Sequence, residues 1–431
     1  YEEKIRNFAQ NKENRNFFPW KLFFADAFEE GGFDVVIGNP PYITLALGKG
    51  QDCFSKEEVE LYKKLYPNSV EYKGNTYAIF YDKAITLAKS FGIISYITPN
   101  TMLLNNSYKN LRKLILENTQ IKKLVNFKKT VFDSAETGGN LILLLRKNTT
   151  QNLIEVIDIP FFEKENKIEL YPISFVDQIN FKETSLNKYY TDIKSFNIIN
   201  RISKYSHAFS SIASFYNGIK TGDNKRFISD TKISEQYLPI LRGRDIQKYK
   251  INYASKYVLF DKEKLWSNTD ETKLSKNPKI ILRQTGDSII AALDTNGFYT
   301  MDTTHIIFDP LIDIYALLSM LNSTLFTWFL HKSVEEENKA FAEVKIAILK
   351  QFFIPKQIKY EKELKDLCIK ILNIKSDTDF ENNAQKQFVV EGYENQIDIL
   401  VYKLYNLTYD EILVIDQNFS MSEEEYSNYV I

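Results

Sequence analysis

Ten consecutive residues, Phe33-Asp34-Val35-Val36-Ile37-Gly38-Asn39-Pro40-Pro41-Tyr42, constrain the fold of this 431-residue chain more than any other stretch. Five of the first six are apolar or glycine, in a run too short for a helix and rich in β-branched side chains. That pattern reads as a buried parallel strand at the centre of a sheet. Two prolines follow; lacking an N–H, they cannot continue a ladder, so the chain must leave the sheet there. The outcome is a stiff loop at the carboxyl end of a strand, where open α/β sheets place their ligands. A carboxamide and an aromatic ring sit on it, a pairing suited to gripping a flat, polar, heteroaromatic group.

The flanking pattern builds a sheet around that strand. Residues 1–18 read as a charged amphipathic helix, and Trp20, Leu22 and Phe24 alternate toward Asp26 as a short strand would. Ser55-Lys56-Glu57-Glu58 resembles a capping box opening a helix through about Tyr66. Apolar residues at helical spacing over Thr76–Ser90 predict a helix. Ile93–Thr98 reads as a second buried strand ended by Pro99, Ser107–Glu117 as another helix, and Ile121–Phe127 and Asn140–Arg146 as two further strands. Strand, helix, strand, helix and a closing strand pair make an α/β fold, the C-terminal half of a doubly wound sheet that finishes in a hairpin. No Gly-x-Gly loop follows a strand anywhere, so the usual cofactor-cradling element is not found. The chain begins with Tyr1, as a processed product or a fragment would.

From about Gln151 short strands and turns replace the long helical periods, which sets the expected domains at 1–150, 151–358 and 359–431. The second is read as α+β and the third as a helical tail. Within the second, Gly218–Lys225 is a Gly-flanked basic loop, and Leu241–Ile246 and Ile280–Gly286 each set arginine beside an apolar strand and a glycine. Ile314–Leu330 reads as one buried helix, Tyr360–Ile374 and Asn395–Leu404 as amphipathic helices, and the acidic end after Asp416 as frayed.

Net charge is −1, which removes the argument from a polycationic chain, but its distribution is uneven. Residues 101–150 carry nine Lys/Arg against three Asp/Glu and residues 201–250 carry ten against four, each window at +6, whereas residues 401–431 stand at −5. Two basic zones on a neutral protein fit a local anionic surface. No run of 18 apolar residues exists, so no membrane span is expected. Two cysteines far apart give neither a disulfide framework nor a metal pattern and fit a reducing cytoplasm. His207, His305 and His331 lack metal spacing. Glu335-Glu336-Glu337 with Glu343 and Lys345 reads as a solvated loop rather than a nuclease centre.

Asn39-Pro40-Pro41-Tyr42, with its strand before it and this order of helices and strands after it, resembles the motif of adenine-N6 DNA methyltransferases of the gamma arrangement, catalytic motif first and recognition domain second. Gly218-Ile219-Lys220-Thr221-Gly222-Asp223-Asn224 and Arg242-Gly243-Arg244-Asp245-Ile246 resemble segments of the TaqI-like specificity domain. Ile397–Thr408 resembles the closing helix of fused type IIG restriction–modification enzymes. The resemblance implies double-stranded DNA as partner and S-adenosyl-L-methionine as cofactor. Asn39 and Pro40 would accept the two N6 hydrogens of a flipped adenine, Tyr42 would stack on it, and Phe132 would stack on its other face. Asp26 would contact the cofactor. Lys220, Lys225, Arg226, Arg242, Arg244 and Arg283 would contact DNA. It also implies an amino-terminal methyltransferase or nuclease part as companion. Without the Gly-rich cofactor loop, the alternative is a DNA-binding specificity module with no catalysis of its own.

Overall fold

The computed structural model describes residues 18–45, 54–71, 74–132, 138–148, 153–163, 167–184, 187–333 and 343–429. The helix expected over residues 1–18 and Glu335–Glu337 therefore fall outside the described residues, apart from Phe18. The chain divides into two compact units, Tyr1–Ile193 and Lys194–Ile431.

The first unit is a six-stranded sheet with helices. Its strands are β1 (Phe33–Gly38), β2 (Ala88–Pro99), β3 (Thr119–Phe127), β4 (Asn140–Lys147), β5 (Leu153–Ile159) and β6 (Ile173–Asp177), in spatial order β1-β2-β4-β3-β5-β6. β1 runs parallel to β2, and β3 and β4 form the expected antiparallel hairpin. Leu141, Leu143 and Leu145 on β4 are fully buried, as is Ile94 on β2. Burying each such side chain contributes roughly 1.5–3 kcal/mol, which makes this central pair the anchor of the sheet.

Three expectations are corrected here. Among the described residues β1 is parallel to β2 and lies at the edge of the sheet rather than its centre, and Val35 and Ile37 are 55% and 77% exposed. Val35 and Ile37 share one face, which the described residues leave uncovered, whereas Val36 on the other face is half-buried. Trp20–Phe24 is helical: α1 (Trp20–Phe23) and α2 (Ala25–Glu29) replace the expected strand. Among the described residues no strand pairs with this segment, and Trp20, Phe24 and Phe28 gather edge-on around Phe33, at the amino end of β1. Finally, the boundary placed at 150/151 falls inside the sheet: β5 pairs with β3 and β6 with β5, so the unit runs on to Ile193.

Helix α3 (Lys56–Leu65) opens on the expected capping box, Ser55 Oγ accepting from the Glu58 N–H while Glu58 accepts from Ser55. α4 (Thr76–Leu87) buries Tyr77, Tyr81, Ala84 and Ile85 against the sheet. α5 (Lys109–Asn118) carries Arg112, whose buried guanidinium donates to the carbonyls of Met102, Asn105 and Asn187. A side chain that ties three loop carbonyls together replaces solvent for groups that no ladder satisfies.

The second unit holds two four-stranded sheets and a helical end. One sheet has the order β12 (Ala291–Asp294), β11 (Lys279–Arg283), β14 (Thr304–Phe308), β7 (Ser214–Asn217), all antiparallel. The other runs β13 (Tyr299–Thr300), β9 (Tyr237–Leu241), β10 (Tyr257–Leu259), β8 (Ile228–Ser229). The apolar stretch from Ile314 is two helices, α6 (Ile314–Asn322) and α7 (Thr324–Ser333), rather than one. Ser323 breaks it: its backbone is extended and its hydroxyl donates to the Met320 carbonyl. Helices α8 (Glu361–Ser376), α9 (Ala384–Leu404), α10 (Tyr409–Ile415) and α11 (Glu423–Asn428) follow. The end read as frayed is α11, opened by a Ser422/Glu425 capping box and anchored by buried Tyr426.

Candidate active site and nucleic-acid interface

The loop that leaves β1 is held by the amino end of α4. The Thr76 hydroxyl donates to the Pro41 carbonyl at 2.6 Å and accepts from the Ile43 N–H at 3.2 Å. The Thr76 N–H returns a bond to the Ile43 carbonyl, and Leu45 bonds to Gly74. Helix N-termini have spare N–H groups, and here one of them serves the neighbouring loop instead of solvent. Thr76 was not singled out in the sequence; the usable signal was Asn75-Thr76 before a helical run, with Asn75 capping Tyr77.

Asn39 and Tyr42 meet. The Tyr42 hydroxyl lies 2.6 Å from Asn39 Oδ1 and 2.9 Å from the Ile97 carbonyl at the end of β2. The Tyr42 ring stands edge-on to Tyr77 with centroids 6.3 Å apart, and burial raises its phenol above the ordinary tyrosine value. Asn39 is exposed and Pro40 is buried. Among the described residues nothing donates a hydrogen bond to the Pro40 carbonyl, whereas the next carbonyl along is taken by Thr76. The loop thus offers a carboxamide and a main-chain acceptor beside a fixed aromatic ring. Gly38 lets it turn there: a Cβ would stand 3.3 Å from the Tyr96 ring.

Phe132 is half-buried, on a turn where its N–H donates to Thr130 Oγ1 and the preceding Val131 N–H to Asn140 Oδ1. Beneath that turn runs a polar chain that sequence reading missed. Asn100 donates to Asn126 Oδ1 at 3.2 Å, and Asn126 donates to Asp158 Oδ1 at 2.7 Å and Thr191 Oγ1 at 3.2 Å. Three strand ends are tied by it. Asn100 and Asn126 sit at the ends of apolar runs, but only pairing in space shows that they meet.

Asp26 is exposed on α2, a helix packed through Phe28 on Phe33. It is thereby at the end of β1 away from Asn39, and nothing described joins it to the loop.

In the second unit the basic candidates converge on Thr300–Thr304. Ile219 donates to the Thr300 carbonyl and Gly218 to that of Thr304, while Met301 donates to the Leu241 carbonyl and Gly243 to Thr303 Oγ1. Gly218 is required by closeness, because a Cβ there would lie 1.9 Å from the Met301 carbonyl oxygen. Lys220 lies over the Trp266 ring at 5.1 Å, and Lys225 and Arg226 are exposed on a single helical turn whose N–H groups Asp223 caps. Arg242 is differently placed. Its guanidinium grips buried Asp245 through Nε at 3.1 Å and Nη2 at 3.0 Å, with the Arg242 N–H on the same carboxylate at 2.8 Å. Arg244 is exposed. Arg283 is half-buried on β11, close behind Gly243.

His305 is buried between Asn217 Oδ1 and the Val344 carbonyl, and burial lowers its pKa. No group of three or more His, Cys, Asp or Glu among the described residues is arranged to hold a metal, and no described helix is long and apolar enough to cross a membrane.

Comparison with known proteins bears out the two-domain resemblance. Residues 1–132 match the Eco57I restriction-modification methylase family and residues 238–354 the TaqI-like C-terminal specificity domain. Arg242–Ile246 lies within the second match; Gly218–Asn224 precedes it. A putative type II restriction enzyme and methyltransferase of Methanocaldococcus jannaschii is 25% identical over 418 residues, covering 94% of this chain and 34% of its own length. The type II restriction enzyme and methyltransferase RM.Eco57I of Escherichia coli is 28% identical over 205 residues, 46% of this chain and 19% of its own. The chain therefore spans about a third or less of these relatives. Among solved structures, the type IIL restriction-modification enzyme MmeI in complex with DNA shares the fold with TM-score 0.60 at 12% identity, over 97% of this chain and 60% of that one.

Proposed function

We propose that this chain is the catalytic-loop portion and target-recognition domain of a site-specific DNA methyltransferase of a restriction–modification system, acting on adenine N6. The observation that carries the reading is the loop after β1. Asn39 Oδ1 and the Pro40 carbonyl are two acceptors on one stiff turn, and an exocyclic amine has two hydrogens to give. Accepting both would draw the nitrogen lone pair out of the ring and favour the tetrahedral nitrogen that develops as a methyl group arrives, so the acceptors act where the transition state gains charge. Such a base must first leave the duplex. Tyr42, and Phe132 from the other face, would then hold it by stacking, worth roughly 1–3 kcal/mol per base. The Tyr42 hydroxyl now engages Asn39 Oδ1, so it would yield that acceptor to the substrate.

S-adenosyl-L-methionine is the methyl donor this reading calls for. The described residues do not by themselves make a cradle for it: the assigned carboxylate, Asp26, is exposed at the far end of β1, and the flank of that strand is open at Val35 and Ile37. No step is derived through the donor for that reason. The same observation favours a second reading, a DNA-recognition module that depends on a further amino-terminal part for the cofactor.

Two measurements separate the readings. Calorimetric titration of S-adenosylmethionine into this chain gives micromolar binding if the chain is competent alone and no heat if it is a module. Nucleoside mass spectrometry of DNA treated with the longest form of the protein and labelled donor gives N6-methyladenine. Label on cytosine would remove adenine N6 as the target, and label on RNA in preference to duplex DNA would remove DNA as the substrate.

A further inference from the structure

One large side chain in the second unit has no role in the reading above. Trp266 is 71% exposed, and its neighbour Leu265 is buried at 6%. An indole carries a large apolar face with one polar edge, and such a ring is left in water at a cost unless a partner covers it. The main chain that carries this ring is fixed in place. The Trp266 main-chain N–H donates to the Lys220 carbonyl at 3.0 Å, and Lys220 and Ser267 exchange main-chain bonds in both directions. Asn268 adds a bond from its side chain to the Gly218 carbonyl at 3.0 Å. On one side of the ring is Gly222 in the left-handed region (φ +80°), where a Cβ would stand 3.0 Å from the indole Cε3; Lys220 Nζ lies 5.1 Å from the ring centroid. The loop that holds the indole is the one that presents Lys220, Lys225 and Arg226, all exposed.

We propose that Trp266 is a DNA-contacting residue, its exposed indole lying against the sugar or base of the strand whose phosphates meet Lys220, Lys225 and Arg226. The inference rests on the DNA-recognition reading and adds to it a specific aromatic contact. Three features support it together: an exposed aromatic ring on a hydrogen-bonded stretch of main chain, cations within one loop of it, and a glycine that leaves it room. Phosphate contacts bring affinity and register, and an aromatic face beside them adds sequence-tolerant stacking. A main chain already ordered by its neighbours loses little freedom on binding.

The chain has three tryptophans, of which Trp328 is buried and Trp20 lies half-buried in the first unit, so intrinsic fluorescence reads Trp266 well. The test titrates a fluorescein-labelled 30-base-pair duplex into the whole chain at low salt, following anisotropy and tryptophan emission together. Wild type should bind with quenching, W266F should bind without that quenching, and W266A should bind at least about fivefold more weakly, which is the low end of one stacked base at 1.4 kcal/mol per tenfold. G222A, which pushes on the ring from behind, should weaken binding in the same direction while the melting curve shows a folded chain. Normal anisotropy binding with unchanged tryptophan emission and an unchanged W266A affinity would overturn the proposal and leave the DNA reading standing. Absence of any duplex binding by the wild type would overturn both.

Discussion

Asn39–Tyr42 and Gly218–Asn224 are both loops that leave a strand and are pinned by hydrogen bonds to residues well separated from them in sequence. In the first, Thr76 at the start of α4 holds two backbone groups; in the second, Thr300–Thr304 and Ser267 do the same work. Their stiffness has different sources: paired prolines on one side, and on the other glycines at positions where a Cβ would strike a carbonyl or an indole. What they present also differs. The first offers neutral acceptors and a ring, whereas the second offers cations. A neutral acceptor pair discriminates an amine by leaving unpaired groups when it is absent; a cation attracts any phosphate. On the proposed reading, chemistry and affinity fall to separate loops in separate units, so each could be damaged alone.

The largest expected effect tests that separation. Asn39→Ala in the longest form of the protein should lower the methyl-transfer rate about 10²–10³-fold, the cost of removing one well-placed hydrogen-bonding group at a transition state. Duplex affinity measured by anisotropy should stay within twofold. Tyr42→Phe keeps the ring and releases Oδ1, so its rate should stay within about tenfold, the range of one hydrogen bond. Equal losses of binding and rate in Asn39→Ala would show that the two loops do not divide the work.

The second effect sets one arginine against another. Asp245 is 3% exposed and accepts from the Arg242 side chain and N–H, so Asp245→Ala strands a half-buried guanidinium. Loss of a partner from a buried pair costs about 3–5 kcal/mol, and the lower end applies here because Arg242 retains some solvent. Thermal unfolding should report it as a clear drop for the second unit. A wild-type melting curve would mean that Arg242 is free to read DNA.

A third effect concerns the helical end. Burial pushes the Asp398 carboxyl up to about 6, against the bonds it accepts from the Thr324 N–H and hydroxyl at 2.7 Å. A carboxyl group raised in the folded state binds more protons there than in the unfolded chain. Its contribution is full below the unfolded value near 4 and is lost as pH rises through about 6. Two pH units at about 1.4 kcal/mol each set an upper bound of about 3 kcal/mol, less what solvent at the site screens. Urea unfolding between pH 4 and 7 should show stability falling over that window, and Asp398→Asn should flatten it. An unchanged slope in the variant would assign it to another group.

Most of the α/β order could be read because period and breakers agreed. Apolar β-branched runs ended at Gly38 and Pro99, Ser55-x-x-Glu58 opened α3, and the apolar run Leu141–Leu145 within Asn140–Arg146 was enough to place the hairpin. The misreadings share a cause: a local pattern does not state what lies on either side of it. The run Val35-Val36-Ile37 reads identically at the centre of a sheet or at its edge, and only the pairing order shows the edge. Trp20, Leu22 and Phe24 alternate, yet with no strand to pair with them the rings close on Phe33 and the backbone turns helical. Ser323 splits an apolar stretch through one extended residue, a signal too small for any window of hydropathy. In the site, Asn39, Pro40 and Tyr42 could be named from their motif, but Thr76, which fixes them, could not, because its partners lie about 35 residues back.

The smallest effect is the sharpest separation within the basic loops. Arg244 lies two residues from Arg242 on the same turn, exposed where Arg242 is clamped. Removing it as Arg244→Ala takes away no buried partner, so stability should hold within about 0.5 kcal/mol, as for surface positions in general. If the side chain meets a phosphate, the slope of log affinity against log salt should fall by about one, uniformly across duplex sequences. If it reads a base, the slope should stay and one position of the recognition site should relax at a cost of about 1–3 kcal/mol. Asp245→Ala should unfold before it alters either quantity. The pair therefore sets a clamped arginine against an exposed one two residues away, and separates a loss of stability from a loss of DNA affinity.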